Sequence, residues 1–297
     1  MTRRLLPLLL AAIVATPAMA RELTAYYVVP AAANLAGAGG TDWHTDLTLH
    51  NPHSFSLSVT LVFLPSDRDN SSAPTVSGIA LAPWETLNLW NVLGPDGFDA
   101  TGQRGALLVY ADGTSCASTE CDFAVASRTY TLSPDGGSGE FGQGIPGFPA
   151  ALGLDTTVMA YMPQVMSNTD FRTNIGLASW SPESVMVRVD VQDAAGNIVD
   201  STDHVVPPFG QVQWRFNGTV TGGTAVAYIV QGSPEAIVYP YASVVNEVYG
   251  DPAYVEAQLS VVGVSAQSAG HAAPLPLPGP EPVRTFSLER LRVPRRR

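Results

Sequence analysis

One motif occurs twice in this chain, and the repetition restricts the fold more than any other feature. Thr41-Asp-Trp-His-Thr-Asp-Leu-Thr-Leu49 aligns with Thr169-Asp-Phe-Arg-Thr-Asn-Ile-Gly-Leu177. Four of the nine positions are identical, and Trp43/Phe171, Asp46/Asn174 and Leu47/Ile175 are close exchanges. The same offset of 128 carries Val59, Leu61 and Phe63 onto Val187, Val189 and Val191. Both triplets have apolar side chains at every second residue, the spacing of a strand with one face buried. Pro83-Trp84 then meets Pro208-Phe209, Leu87 and Leu89 meet Val212 and Trp214, Gly105–Tyr110 meets Gly223–Tyr228, and Ala126-Ser127 meets Ala242-Ser243. The offset shrinks from 128 through 125 and 118 to 116, each step falling in a polar or glycine-containing stretch. Longer loops in the first copy, Ser66–Ser77 and Ala111–Asp122, account for the difference. A repeat of this length implies two copies of one structural unit.

Each copy carries about seven short apolar runs separated by turn residues, and no long window keeps helical spacing. With 27 glycines, 24 prolines and only 14% charged residues, short strands joined by tight turns are expected. The expected fold is all-β: two tandem β-sandwich, immunoglobulin-like domains related by internal duplication. The first spans residues 21–150 and the second residues 155–265. A single continuous sandwich or barrel shared by both copies is the runner-up.

The ends differ in kind. Arg3 and Arg4 precede the apolar run Leu5–Ala15, and Ala18-Met-Ala20 places small residues before a cleavage point, so residues 1–20 read as a signal peptide. Export is therefore expected, to the periplasm, cell surface or medium. No stretch is long and apolar enough to be expected to span a membrane. Residues 266–297 read as a proline-rich linker, His271–Pro282, followed by a basic tail with six arginines in its last fourteen residues. Proline and arginine dominate the segment, so disorder is expected there.

All fifteen cationic side chains are arginine. Between residues 21 and 280 only seven arginines face 24 acids, a balance that argues against nucleic acid as a partner. Cys116 and Cys121 are the only cysteines, and in an exported chain the pair reads as a disulfide across a short loop.

Several stretches resemble a known group. They are Val29-Pro-Ala-Ala-Ala-Asn34, Gly40–Pro52, Val59–Pro65, Ala126-Ser-Arg-Thr-Tyr130, Phe141-Gly-Gln143 and Gly250-Asp-Pro252. Together they resemble a widespread group of uncharacterised secreted bacterial proteins with paired sandwich domains. The resemblance covers most of residues 26–260. It implies export and a β-sandwich and brings no catalytic residue with it. His44 departs from the pattern, which has arginine there, as at Arg172 of the second copy.

Candidate chemistry is sparse. His44 and Asp46 share a strand face, but Arg172 and Asn174 stand in their places in the second copy, so the stretch reads as scaffold rather than a metal site. Asp67-Arg-Asp69-Asn70 is rich in carboxylates but lacks the glycine and distal glutamate of a calcium loop, which leaves Asp67 and Asp69 as weak ligand candidates. No G-x-S-x-G elbow or phosphate loop occurs. Among the aromatic residues, Trp84 and Trp214 lie in the repeated pattern and are expected in the core. Trp180 aligns with Pro52 at a turn and is the best candidate for an exposed contact. No catalytic, cofactor-binding or metal-binding residue is assigned. The expectation is a secreted or cell-surface, non-catalytic structural or adhesive module acting on a cell-surface polymer or protein. The alternatives are a carbohydrate- or calcium-binding module and, last, a secreted hydrolase.

Overall fold

The computed structural model describes residues 22–112, 121–133, 139–261 and 276–294. The expected signal segment, Cys116 and the linker before Pro276 lie outside these residues.

The regular structure of the described chain is almost all strand. Its first half contains β1 (Tyr26–Ala36), β2 (Asp42–His50), β3 (Leu57–Pro65), β4 (Ser72–Leu81), β5 (Thr86–Leu89), β6 (Gln103–Ala111), β7 (Ala124–Leu132), β8 (Glu140–Pro146) and β9 (Phe148–Pro149). The second half contains β10 (Val158–Ser167), β11 (Phe171–Trp180), β12 (Val185–Gln192), β13 (Ile198–Val206), β14 (Gln211–Arg215), β15 (Val220–Gln231), β16 (Ile237–Asn246), β17 (Pro252–Glu256) and β18 (Gln258–Val261). A short β19 (Gly279–Pro282) and a single helical turn, α1 (Leu288–Leu291), follow.

The strand order of the second half repeats that of the first. In the second half one sheet runs β13-β12-β15-β10-β18 and the other β14-β11-β16-β17. In the first half β4-β3-β6-β1-β9 and β5-β2-β7-β8 occupy the same relative places. There β1 crosses between the sheets: Tyr26 to Asn34 pair with β6, whereas Leu35 and Ala36 pair with β2. A bulge between Val29 and Ala32 provides the bend. Leu47 pairs with Leu89 and Ile175 with Trp214, the pairing that the aligned sequences require. At β7 and β16 the alignment slips by one. Ser127 lies opposite Leu47 and Ala242 opposite Ile175, so Ser127 corresponds to Ala242 and not to Ser243. A slip of one residue turns a side chain to the other face of the sheet.

Alternation places Val59, Leu61 and Phe63 in one core with Leu47, Leu49, Leu107 and Val109. Val187, Val189 and Val191 fill the other with Ile175, Leu177, Ala225 and Ala227. A third apolar cluster joins the halves. Val28, Val62, Leu64, Ala106 and Leu108, on the outer face of the first half's β3-β6-β1 sheet, meet Ala178, Trp180, Phe209, Ile237 and Tyr239 of the second half.

Four expectations are corrected by the structure. Trp180 is only 1% exposed, because it ends β11 on the face that docks against the first half, and its indole Nε1 donates to the Pro276 carbonyl at 2.6 Å. Trp84 is not in a core: it occupies a positive-φ turn (φ 61°) and is 63% exposed. Residues 276–294 are packed, not a free tail. β19 runs parallel to β4, and Leu291 enters the first core with Val283, Phe286 and Leu288 against it. These apolar residues sit between the charges and fill a site made by distant strands, which outweighs the proline- and arginine-rich composition. Ser72–Ser77, expected as loop, belongs to β4.

Candidate ligand-binding cleft

The outer face of β14-β11-β16 is divided along its length. One end, carrying Ala178, Trp180, Ile237 and Tyr239, is dry and packed against the first half. The other end carries Arg172, Asn174, Gln211, Gln213, Arg215, Tyr241, Ser243 and Val245, and it faces a cleft of about 320 Å³. Alternation makes this possible, since residues two apart on a strand share a face. The opposite wall comes from β1, the β1–β2 connection, the start of β2, the start of β6, and β7 and β8. It is built of small side chains, Ala31, Ala33, Ala36, Gly37 and Gly105, with Trp43, Arg104 and Gln143 among them. The alanine run at the bulge of β1 leaves the space, and the long polar side chains opposite border it.

Two close approaches shape the walls. A methyl group at Gly37 would lie 2.4 Å from the Trp43 indole nitrogen, so glycine lets the indole lie against the backbone. A methyl at Gly176 would lie 2.1 Å from Tyr241 Cζ, so the phenol ring lies across that strand. The Tyr241 hydroxyl accepts from Gln211 Nε2 at 2.6 Å and donates to Gln213 Oε1 at 2.8 Å. Burial drives its pKa well above the ordinary phenol value.

Polar contacts cross between the halves at the cleft margin. Ser243 Oγ donates to Gln143 Oε1 at 2.9 Å, and Arg104 Nη2 donates to the Gln213 carbonyl at 3.1 Å. Arg104 also faces Asp67 at 3.4 Å. At the mouth Glu247 meets two arginines through the same oxygen, Oε1, at 3.4 Å from Arg172 and 3.0 Å from Arg215.

The Asp67–Asn70 loop clasps the two halves together and does not gather its carboxylates. The Asp67 N–H donates to the Gln211 carbonyl at 2.8 Å, and the Asn70 N–H to the Pro208 carbonyl at 2.9 Å. The buried Asn70 amide donates to the carbonyls of Pro65 and Phe209. Asp67 turns to Arg104, whereas Asp69 accepts from the hydroxyl and N–H of Ser71, bonds that hold its carboxyl below the usual carboxylate range. The two candidate ligands thus point to different partners. Among the described residues no three His, Cys, Asp or Glu side chains gather as metal ligands.

His44 and Asp46 do share a strand, yet each has its own partners. His44 Nδ1 lies 3.1 Å from Asn34 Oδ1, and its Nε2 lies 3.2 Å from Asp42. Asp46 accepts from the Asn91 N–H and the Tyr130 hydroxyl. Cys121 packs against the first core, while Cys116 and the expected bond lie outside the described residues.

The aromatic residues of the second half are dispersed. Trp180 and Tyr239 are in the dry interface, Trp214 stacks on His204 with ring centres 3.5 Å apart, and Tyr241 reaches the cleft opposite Trp43 of the first half. The cleft itself was not visible in the sequence. Arg172 stood out as the counterpart of His44, but nothing joined it to Trp43, Arg104, Gln143, Gln213 or Arg215. The one available signal was scarcity: three of the seven arginines between residues 21 and 280 line one cavity.

No protein-family model and no curated protein sequence matches the chain. Among solved structures, it is similar to the lectin from Pleurotus ostreatus in complex with GalNAc, at 11% identity, 80% of this chain and 84% of the other, with a TM-score of 0.18. The apo form of Pleurotus ostreatus lectin gives 12% identity, 80% and 81% coverage, and a TM-score of 0.14. No helix among the described residues is long and apolar enough to cross a membrane.

Proposed function

We propose that this chain is an exported, non-catalytic binding module of the cell surface or secreted milieu, that its two immunoglobulin-like halves arose by internal duplication, and that it holds a saccharide in the cleft between them. The lining of the cleft carries this reading. It combines an indole and a phenol with four amides, Asn174, Gln143, Gln211 and Gln213, and with the hydroxyls of Thr129 and Ser243. Amides and hydroxyls match sugar hydroxyls as donors and acceptors, and an aromatic face suits the C–H surface of a pyranose ring. The volume lies at the small end of the range for ligand pockets. The lining contains no Asp, Glu, His or Cys, so the groups facing a ligand are suited to holding it rather than to moving protons at neutral pH. The shared strand order and the aligned motifs support duplication.

Titration of the mature chain with a panel of mono- and disaccharides tests the reading. At least one is expected to bind, and Trp43→Ala and Asn174→Ala are each expected to weaken it about tenfold, the loss of roughly 1.4 kcal/mol of contact. Binding by no sugar, or binding indifferent to both substitutions, removes the proposal. Export also supports a Cys116–Cys121 disulfide. Intact mass is expected to rise by two hydrogens on reduction, and two free thiols in chain purified from an oxidising compartment would disprove the bond.

A further inference from the structure

The charges at the mouth of the cleft narrow the class of saccharide. Resting on the saccharide reading, we infer that the ligand is an acidic sugar, a pyranose bearing a carboxylate, and that this carboxylate takes the place of Glu247 between Arg172 and Arg215.

The first support is charge. The chain carries a formal net charge of −11, yet the cleft gathers Arg104, Arg172 and Arg215 against Asp67 and Glu247, which leaves one positive charge uncompensated. A cationic spot in an acidic chain selects anions and draws them in over a distance set by salt.

The second support is the geometry of the existing pairs. Elsewhere Arg188 holds Asp203 in a two-pronged fork, with Nε and Nη2 donating at 2.6 and 2.8 Å. Glu247 instead offers one oxygen to two guanidiniums at 3.4 and 3.0 Å. A guanidinium presents five donors in a fixed plane and binds a carboxylate best through two parallel bonds. The Arg172 side chain, 13% exposed, is held in place by its strand and does not wave in solvent. A ligand carboxylate between the two guanidiniums could turn one oxygen to each, where Glu247 offers the same oxygen to both. Glu247 lies just beyond the end of β16, where its N–H donates to the Asp170 carbonyl, so its side chain can turn outward without disturbing a strand.

The third support is arrangement. Arg172 and Arg215 are neighbours on β11 and β14, both against Glu247, in a cavity whose other polar groups are mostly amides and hydroxyls and whose wall includes Trp43. A carboxylate at the mouth with a hydroxylated ring inside fits that order of groups. An acidic peptide brings the carboxylate but not the hydroxylated ring that the indole face suits.

The test uses the mature chain at low salt, titrated with glucuronic and galacturonic acid against glucose and galactose. At least one acid is expected to bind ten-fold or more tightly than its neutral counterpart, with the preference falling as salt is raised. Arg172→Met and Arg215→Met are each expected to abolish the preference. Glu247→Gln is expected to strengthen acid binding about tenfold by removing the internal competitor, a gain that misfolding does not produce. Equal binding of acid and neutral sugars would overturn the acidic-sugar inference and leave the saccharide reading standing. Displacement of the acid by an equal concentration of acetate, or tighter binding of a glutamate-rich peptide, would also overturn it. Failure of every sugar to bind would remove both readings.

Discussion

Removal of residues 276–297 is expected to lower the melting temperature of the mature chain by roughly 6–12 °C, a net loss of about 3 kcal/mol at the few degrees per kcal/mol usual for this size. The loss has identifiable parts. Leu291 is 2% exposed in the first core, and burying a leucine contributes about 1.5–3 kcal/mol. The Phe286 ring meets Phe98 edge-on with centres 5.5 Å apart. The Trp90 N–H donates to the Leu291 carbonyl at 3.0 Å, and the Ser287 N–H donates to the Asp96 carbonyl at 2.7 Å. Against these stands the entropy of ordering about twenty residues, which keeps the net figure small. The ion pairs Arg290–Asp96 and Arg292–Glu85 are exposed and add little. Thermal unfolding of the full and shortened chains decides the matter. Equal melting temperatures would mean that the segment only rests on the surface.

Trp180→Ala is expected to cost about 3–5 kcal/mol, the range for emptying a buried aromatic site. The side chain stands at the centre of the cluster between the halves, edge-on to Tyr26 with ring centres 6.3 Å apart. Its loss also leaves the Pro276 carbonyl without its donor. Because this cluster fuses two sandwich cores, the intact chain is expected to unfold in one transition and the variant in two. Urea unfolding followed by circular dichroism reads both quantities. An unchanged midpoint with a single transition would show that Trp180 is not needed to hold the halves together. Trp180→Phe, which keeps most of the apolar area and loses the indole N–H, is expected to fall between the two.

Local pattern was legible in the sequence because it depends on neighbours a few residues apart. The alternation of Val59, Leu61 and Phe63, and of Val187, Val189 and Val191, specified strands and their buried faces, and both triplets are buried. The Pro83-Trp84 and Pro208-Phe209 match located equivalent turns, and both aromatic residues adopt positive φ, 61° and 46°. What the turns touch was not legible. Phe209 is 3% exposed because it meets the first half, while Trp84 on the equivalent turn faces solvent. Burial of an outward-facing residue depends on whether another unit arrives, and repeat patterns carry no record of that.

The same reason explains the other departures. Trp180 stood at a presumed turn, and only the docking of the halves made it core. Phe286, Leu288 and Leu291 lay within a proline- and arginine-rich tail, and only a groove built by β4, β5 and their neighbours gave them a place to bury. Ser127 and Ser243 matched as letters, but the ladders show them on opposite faces, since a slip of one residue is invisible to composition and decisive for direction. The cleft depends most on tertiary structure. Its residues come from eight strands and the β1–β2 connection and are scattered from Ala31 to Val245. By itself the sequence determined that the chain forms paired strands in two similar halves. Which faces of those halves meet, and therefore which arginines converge, was decided only by packing, because convergence is a property of distant segments brought together.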